Sequence, residues 1–309
     1  MKVAILGASS QIAKDLVLSF SINKNYDFTL FGRNIELLKD WVSGAGLNLK
    51  YKVQAYSDFG NVENYDIIVN FVGISDPEKI QKMGNNILKI TKKYDYIALD
   101  YIKSHQKTKY IFLSSGAVFG GDYQEPVNEN TISSVNINST DSKDWYAIAK
   151  LRAEKRHREL FDLSIVDIRV FNYFSHTQNI NARFLMTDIV RAIRSGEVFR
   201  TSIDNIVRDF ITPPDFFNFV QAIIDSNPMN IALDCYTKEP IAKFDLLVEL
   251  KSKFGLKYKI DESVEIINST GVKKNYYSKN KTAQRLGYRP NKSSLEAIIF
   301  ECMLLFNSK

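Results

Sequence analysis

Val3-Ala4-Ile5-Leu6-Gly7-Ala8-Ser9-Ser10-Gln11-Ile12-Ala13 opens the chain, and its reading decides the fold. Four apolar residues make a buried strand and Gly7 permits a tight turn. Ile12, Ala13, Leu16, Val17 and Phe20 then share one helical face. Small residues at positions 10 and 13 let backbone approach a pyrophosphate and let the helix approach the strand. A strand–turn–helix of this kind binds a dinucleotide, with Gly7, Ser9, Ser10, Gln11 and Ile12 as the expected contacts. The usual turn has glycine at three points, whereas Ser10 and Ala13 stand at the second and third here.

The same alternation continues through the first half. Further strands are predicted at 28–31, 49–55, 67–72, 110–113 and 164–170, and helices at 35–42, 77–90, 94–103 and 143–161. Parallel βαβ units of this kind build an α/β, doubly wound parallel (Rossmann) sheet, which binds ligands beyond the carboxyl ends of its strands. Residues 1–170 are predicted as the dinucleotide-binding domain, with the chain returning to it near 205–237, for example as a strand over 230–236. Residues 171–309 are predicted to form mainly a smaller C-terminal substrate-binding lobe, with helices near 182–195, 214–225, 244–254 and 295–306.

The end of strand two reports on the cofactor. NAD sites place an Asp or Glu there for the ribose 2′-hydroxyl, whereas a basic residue accepts a 2′-phosphate. This chain has Phe31-Gly32-Arg33-Asn34 and no carboxylate. A guanidinium makes paired hydrogen bonds to phosphate and Ser9 adds a donor, so NADP(H) is expected over NAD(H), with Arg33 and Asn34 among its contacts. Val72 and Gly73, where strand four ends, complete the expected cofactor set.

Tyr110-Ile111-Phe112-Leu113 runs into Ser114-Ser115-Gly116-Ala117-Val118-Phe119-Gly120, and Tyr146-Ala147-Ile148-Ala149-Lys150 follows on a helix. Tyr277/Lys281 and Tyr288/Lys292 share the Tyr/Lys spacing, but only Tyr146/Lys150 opens a helix after a strand ending in Ser-Ser. Residues four apart lie on one helix face, so the Lys150 ammonium is expected to lower the Tyr146 pKa toward neutrality. Ser115, Tyr146 and Lys150 are the predicted catalytic residues: Ser115 hydrogen-bonds the reacting oxygen and Tyr146 moves its proton. Tyr146 and Lys150 are also expected to touch the cofactor.

A chain of 309 residues exceeds one ordinary core, and 45% hydrophobic with 25% charged residues is usual for a globular protein. Cys235 and Cys302 offer neither a disulfide framework nor metal-ligand spacing, and read as buried apolar residues. With strand one starting near Lys2 and no apolar run long enough to span a bilayer, a cytoplasmic protein without a membrane or metal partner is expected. The net charge of +6 is scattered, which argues against nucleic acid. The densest run, Lys155-Arg156-His157-Arg158, reads as a solvated helix face.

These residues together resemble an extended short-chain dehydrogenase/reductase of the NAD-dependent epimerase/dehydratase family, which acts on nucleotide sugars. The likeness spans nearly the whole chain: the turn over 7–13, Asp58, 114–120, Tyr146/Lys150, Arg169-Val170-Phe171-Asn172, Arg208-Asp209-Phe210 with Asp215, and Leu286-Gly287-Tyr288-Arg289-Pro290. It implies an adenine contact for Asp58, and substrate contacts for Ser115, Asn172 and Arg208, the last two at the nucleotide diphosphate. It also implies a homodimer through the Tyr/Lys helix, where Leu151, Leu160 and Phe161 offer apolar surface.

Departures narrow the reaction. Family members that remove water carry Asp-Glu after the hydroxyl residue; Gly116 and Ala117 cannot move protons, so a 4,6-dehydratase is not expected. Phe119 replaces a usual Tyr, Tyr173-Phe174-Ser175-His176 lacks the usual Gly-Pro, and the usual Asn near 91–93 is missing. His176 reads as an ordinary loop residue with substrate contact as the alternative. The expected activity is NADPH-dependent reduction of a nucleotide-linked 4-keto-6-deoxyhexose, most like dTDP-4-dehydro-6-deoxyglucose reductase giving dTDP-fucose for deoxysugar and polysaccharide (O-antigen, lipopolysaccharide) synthesis. The alternatives are a nucleotide-sugar 4-epimerase with tightly bound NAD, and a non-catalytic NADP(H)-sensing regulator.

Overall fold

The structure, a computed structural model, describes residues 1–23, 26–47, 51–61, 63–73, 80, 82–121, 123–136, 138, 144–263 and 273–307. Seven parallel strands form its central sheet: β1 (Lys2–Leu6), β2 (Asp27–Phe31), β3 (Lys52–Gln54), β4 (Ile67–Asn70), β5 (Lys109–Ser115), β6 (Ile165–Val170) and β7 (Asn230–Asp234). Their order is β7-β6-β5-β4-β1-β2-β3. The order reverses between β1 and β4, and the crevice beyond the carboxyl ends of that pair is where such a sheet binds ligand. The return of the chain near 230–236 is present as β7.

Side-chain alternation explains why the sheet is covered on both faces. Val3, Ile5, Val69 and Ile111 pack with Leu16, Val17 and Phe20 of α1 (Gln11–Asn23) and with Phe216, Phe219 and Ile223 further along. Ala4, Leu6, Ile68, Tyr110 and Phe112 face the other way, onto Ala98, Leu99 and Ile102 and onto Ala153. Ala98, Leu99 and Ile102 belong to α3 (Asn86–Ser104) and Ala153 to α4 (Asp144–Glu159), while Leu38 and Val42 of α2 (Ile35–Gly44) join the first face. The helices predicted at 77–90 and 94–103 merge from Asn86 onward into one, α3, while Gly84–Asn85 form a turn ahead of it. Thr91-Lys92-Lys93 interrupts the apolar pattern but contains no Gly or Pro to break the helix. Residues 49, 50, 74–79, 81 and 143, at the predicted margins, lie outside the described residues.

A separate cluster after residue 171 joins Met186 and Ile189 of α5 (Leu185–Ser195) to Leu246, Leu247 and Leu250, and to Ile298 and Cys302. α6 (Pro213–Asp225) instead packs on the sheet against α1, while α7 (Lys243–Phe254) and α8 (Ser294–Asn307) hold the second cluster. Among the described residues no helix is long and apolar enough to cross a membrane.

One expectation is overturned here. The run at 155–158 is solvated at Lys155 only: His157 is fully buried, its Nδ1 2.6 Å from Asp167 and its Nε2 2.8 Å from Asp95. Arg156 donates twice to Asp95 Oδ2, and Arg158 reaches Asp167 Oδ2 at 2.6 Å. Tyr110 also donates to Asp95, at 3.0 Å. The charges pin α3 and α4 to β5 and β6, and α4 is the helix that opens with Tyr146 and Lys150.

Candidate functional site

The turn after β1 has the geometry a dinucleotide requires. Gly7 has φ +76°, and a Cβ on it would lie 2.8 Å from the backbone of Phe71 and Val72. A side chain is excluded on both counts. Ser10 caps α1 by accepting from Ala13 N at 3.3 Å. That leaves the amides of Gln11 and Ile12 at the N-terminus of α1, the kind of site that takes a pyrophosphate. Gln11 is tethered to Asp15 at 2.9 Å and to the Thr177 hydroxyl, which joins the turn to the loop after Tyr173. Ser9 is exposed beside it. These features fit a bound dinucleotide. Gly7→Ala is expected to weaken dinucleotide binding at least about ten-fold and to cost about 1–3 kcal/mol of stability; fluorescence titration and thermal melting check it.

The residues expected at the adenine end lie beyond β2 and β3. Arg33 is exposed at the end of β2, with no carboxylate partner among the described residues. Asn34 caps α2, accepting from Leu37 N at 3.1 Å, so its amide serves the helix first. Asp58 sits exposed on a 3-10 turn and accepts from Ser57 at 3.2 Å. The side chain that reaches the glycine turn is Tyr56, whose hydroxyl accepts from Gly7 N at 2.9 Å and whose ring lies 4.5 Å from that of Tyr94. Sequence reading missed Tyr56 because nothing in its spacing separates it from Asp58 two residues on.

At the other end of the crevice Ser115, Tyr146 and Lys150 come together. Ser115 closes β5, and its hydroxyl faces the Tyr146 phenol, favouring the ionised form, and lies 3.3 Å from the Tyr276 hydroxyl. Lys150 is buried one turn along α4, donates to Leu113 O at 2.6 Å, and places its ammonium 4.4 Å from the Phe112 ring and 5.9 Å from the Tyr146 ring. A Cβ at Gly73 would come within 3.2 Å of that ammonium, so Gly73 leaves the room Lys150 occupies. Val72, beside it, donates its amide to Asn70 Oδ1 at 2.9 Å.

The expected pKa of Tyr146 is reversed. Burial pushes the phenol above its ordinary value, and the Ser115 hydrogen bond offsets only part of that. Burial also draws Lys150 down to about 8, against the pull of Asp95, Asp167 and Glu154. In this arrangement Tyr146 stands protonated at neutral pH and can donate its proton.

The far wall joins Asn172 and Arg208, both expected at the substrate, to Tyr276, which the sequence reading did not single out. Tyr276 lies in a two-residue strand (Asn275–Tyr276) beside Val207–Arg208, and its ring meets Phe171 at 5.2 Å and Tyr123 at 4.9 Å. No periodic signal marks so short a strand. Arg208 is buried, and its Nη1 donates to the carbonyls of Val207 and Lys274 at 2.8 and 3.3 Å. Burial draws its pKa down to about 10. The Asn172 amide donates to Asp209 O and Tyr276 O at 3.2 and 3.3 Å, bracing this wall.

Gly116 is backed by Phe171, whose ring a Cβ would overlap, so a carboxylate in that place has no room. Phe119 packs under the Arg169 guanidinium, 4.7 Å away. His176 is held by Glu301 through Nδ1 at 2.7 Å and its own amide at 2.8 Å, an attachment of the loop to α8.

The family model described as NAD dependent epimerase/dehydratase family matches residues 3–232. No curated protein matches the sequence. Among solved structures, UDP-glucuronic acid 4-epimerase from Bacillus cereus, in complex with UDP-glucuronic acid and NAD, superposes with TM-score 0.80 at 16% identity, covering 100% of both chains. dTDP-glucose 4,6-dehydratase from Bacillus anthracis, in complex with NAD, gives 0.80 at 13%, covering 100% of this chain and 97% of the other. UDP-glucose 4-epimerase from Stenotrophomonas maltophila, with bound NAD and formylated UDP-arabinopyranose, gives 0.81 at 14%, covering 99% and 97%. At such identities the likeness is one of fold.

Proposed function

The chain belongs to the NAD dependent epimerase/dehydratase family, and from that premise we propose that it reduces the 4-keto group of a nucleotide-linked 4-keto-6-deoxyhexose with NADPH. The geometry that carries this reading is the meeting of Ser115, at the end of β5, with Tyr146 and Lys150 of α4, where burial holds the phenol above its ordinary pKa. Reduction of a ketone needs an acid for the developing alkoxide, and a phenol that burial keeps protonated is one. Oxidation of a sugar hydroxyl, the first half of an epimerisation, needs the phenolate instead. A bound nicotinamide dinucleotide would supply the hydride.

The residues divide the remaining work. Ser115 polarises the carbonyl oxygen and fixes its position between two hydroxyls. Lys150, held by Leu113 O, maintains positive potential beside Tyr146 and eases the loss of its proton. Arg208 faces the diphosphate, to which a guanidinium offers paired hydrogen bonds. Reduction of dTDP-4-dehydro-6-deoxyglucose to dTDP-fucose is the specific form we favour, within a cytoplasmic homodimer in which the exposed Phe161, just past α4, contributes contact surface.

NADPH is supported by Arg33 and by the lack of an acid at the end of β2. The solved structures of the same fold, which carry NAD, support a second reading: a 4-epimerase with retained NAD.

One experiment separates the two. The purified chain is incubated with NADPH or NADH and a panel of dTDP-, UDP-, GDP- and CDP-linked 4-keto sugars, and nicotinamide absorbance is followed. A reductase consumes one NADPH per product; an epimerase consumes none and interconverts the parent nucleotide sugars. Tight cofactor binding with neither outcome leaves a non-catalytic sensor. In the same assay Arg33→Ala is expected to raise the KM for NADPH by roughly ten-fold or more, with NADH unaffected, since it removes a charge-assisted phosphate contact. Equal effects on both cofactors would assign Arg33 no part in the choice.

A further inference from the structure

Asp15 is a buried carboxylate, 3% exposed, that makes no ion pair among the described residues. It lies one turn into α1 from Gln11 and accepts three hydrogen bonds. Its Oδ1 accepts from the Gln11 amide group at 2.9 Å and from the Thr177 hydroxyl at 2.5 Å, and its Oδ2 from the Tyr173 phenol at 2.9 Å. Gln11 Nε2 donates to Thr177 as well. Burial favours the neutral form of Asp15, and the hydrogen bonds work against that. Two of the three donors come from the loop that leaves β6, and the third is the residue that opens α1 beside the glycine turn.

The loop has some distance to cover. In the sheet β5 and β4 lie between β6 and β1, so the loop passes three strand spacings, about 14 Å, to reach α1. It does so at the carboxyl ends of the strands, where the crevice lies. Tyr173 meets Phe216 with ring centroids 6.0 Å apart, and Phe216 meets Phe71, just past β4, at 6.2 Å. On its other side the loop is pegged to α8, where the buried Glu301 accepts from the His176 amide at 2.8 Å. One short segment therefore joins the dinucleotide turn to the second lobe.

We propose that Thr177, Asp15 and Gln11 form a clasp that closes this loop over a bound nicotinamide dinucleotide and sets the rate at which the cofactor leaves. This rests on the dinucleotide reading of the turn over 7–13. A cofactor whose pyrophosphate sits on the Gln11 and Ile12 amides lies within a side chain's length of Thr177, so the bonds from Thr177 to Asp15 and Gln11 open before it departs. These are positioning residues, acting through the loop and not on the reacting atoms. A reductase that exchanges NADPH each turnover opens the clasp every time, whereas an epimerase leaves it shut.

Stopped-flow release from the full chain tests this. The protein is loaded with NADPH, or with NADH if that binds more tightly, and mixed with a large excess of the oxidised cofactor while nicotinamide fluorescence is followed. Thr177 is exposed, so its replacement leaves the core intact. Thr177→Val removes only the hydroxyl and is expected to speed release roughly ten-fold or more, since a hydrogen bond to a charged group is broken. Asp15→Asn, with one acceptor oxygen in place of two, is expected to shift release in the same direction. Thr177→Ser keeps the hydroxyl and is expected to release within about three-fold of wild type, with the melting temperature of Thr177→Val.

Release at the wild-type rate from Thr177→Val or from Asp15→Asn overturns the clasp, as does a Thr177→Ser variant that releases as fast as Thr177→Val. A wild type that binds neither NADPH nor NADH overturns the dinucleotide reading beneath it.

Discussion

Replacing Tyr146 by Phe is expected to lower turnover by roughly 10²–10⁴-fold while changing NADPH affinity by less than about three-fold. The substitution removes one oxygen. Its ring stays in the apolar cluster with Ile80, Ile87 and Ala149, so the start of α4 keeps its packing. What is lost is the phenol proton beside Ser115, and among the described residues the other phenol at that position is Tyr276. Burial holds the Tyr276 phenol up as well, and its hydroxyl is 3.3 Å from Ser115. A residual rate in Tyr146→Phe that disappears in the double variant with Tyr276→Phe would therefore trace to the second phenol. Single-turnover measurements separate chemistry from binding. Full activity in Tyr146→Phe would remove the residue from the mechanism.

The second large effect is on stability. His157→Ala is expected to destabilise the fold by about 3–5 kcal/mol, because Asp95 and Asp167 are left buried with a partner missing. His157 is charged in the folded state: burial alone would lower its pKa, but Asp167 and Asp95 outweigh burial and raise it to about 9. A group whose folded pKa is raised stabilises fully below its unfolded value, near 6.5, and that contribution is lost as pH rises through about 9. Denaturant melts of wild type between pH 6 and 10 should show the midpoint falling over this window, and His157→Gln should flatten the fall. A midpoint that is level across the window would mean that His157 is neutral in the native state. Because α4 carries Tyr146 and Lys150, partial loss of this network should also reduce activity at pH values where the fold survives.

Legibility in the sequence followed the range of the interactions. β1, β4 and β5 are buried on both faces, so each appears as a continuous apolar run, and Gly7 is dictated by its own φ and its immediate neighbours. Tyr146 and Lys150 are legible because one helix relates them. Tyr276 is not: it meets Ser115 across 161 positions, through a strand of two residues. His157 looked solvated because its partners, Asp95 and Asp167, come from α3 and β6. The pKa of Tyr146 was misjudged for a related reason. Helical spacing brings the ammonium near but says nothing of burial, which here sets the direction of the shift.

The central claim is that a protonated phenol and a serine hydroxyl receive a sugar carbonyl beside a reduced nicotinamide. Deuterium transfer tests it most directly: the chain is given NADPH deuterated at the transferable position with the 4-keto sugar nucleotide it consumes, and the product is analysed by NMR. The expected result is one deuterium at C4 of a single stereoisomer, lost in step with turnover in Tyr146→Phe. Product without deuterium, or label transferred equally well by the variant, would contradict the account.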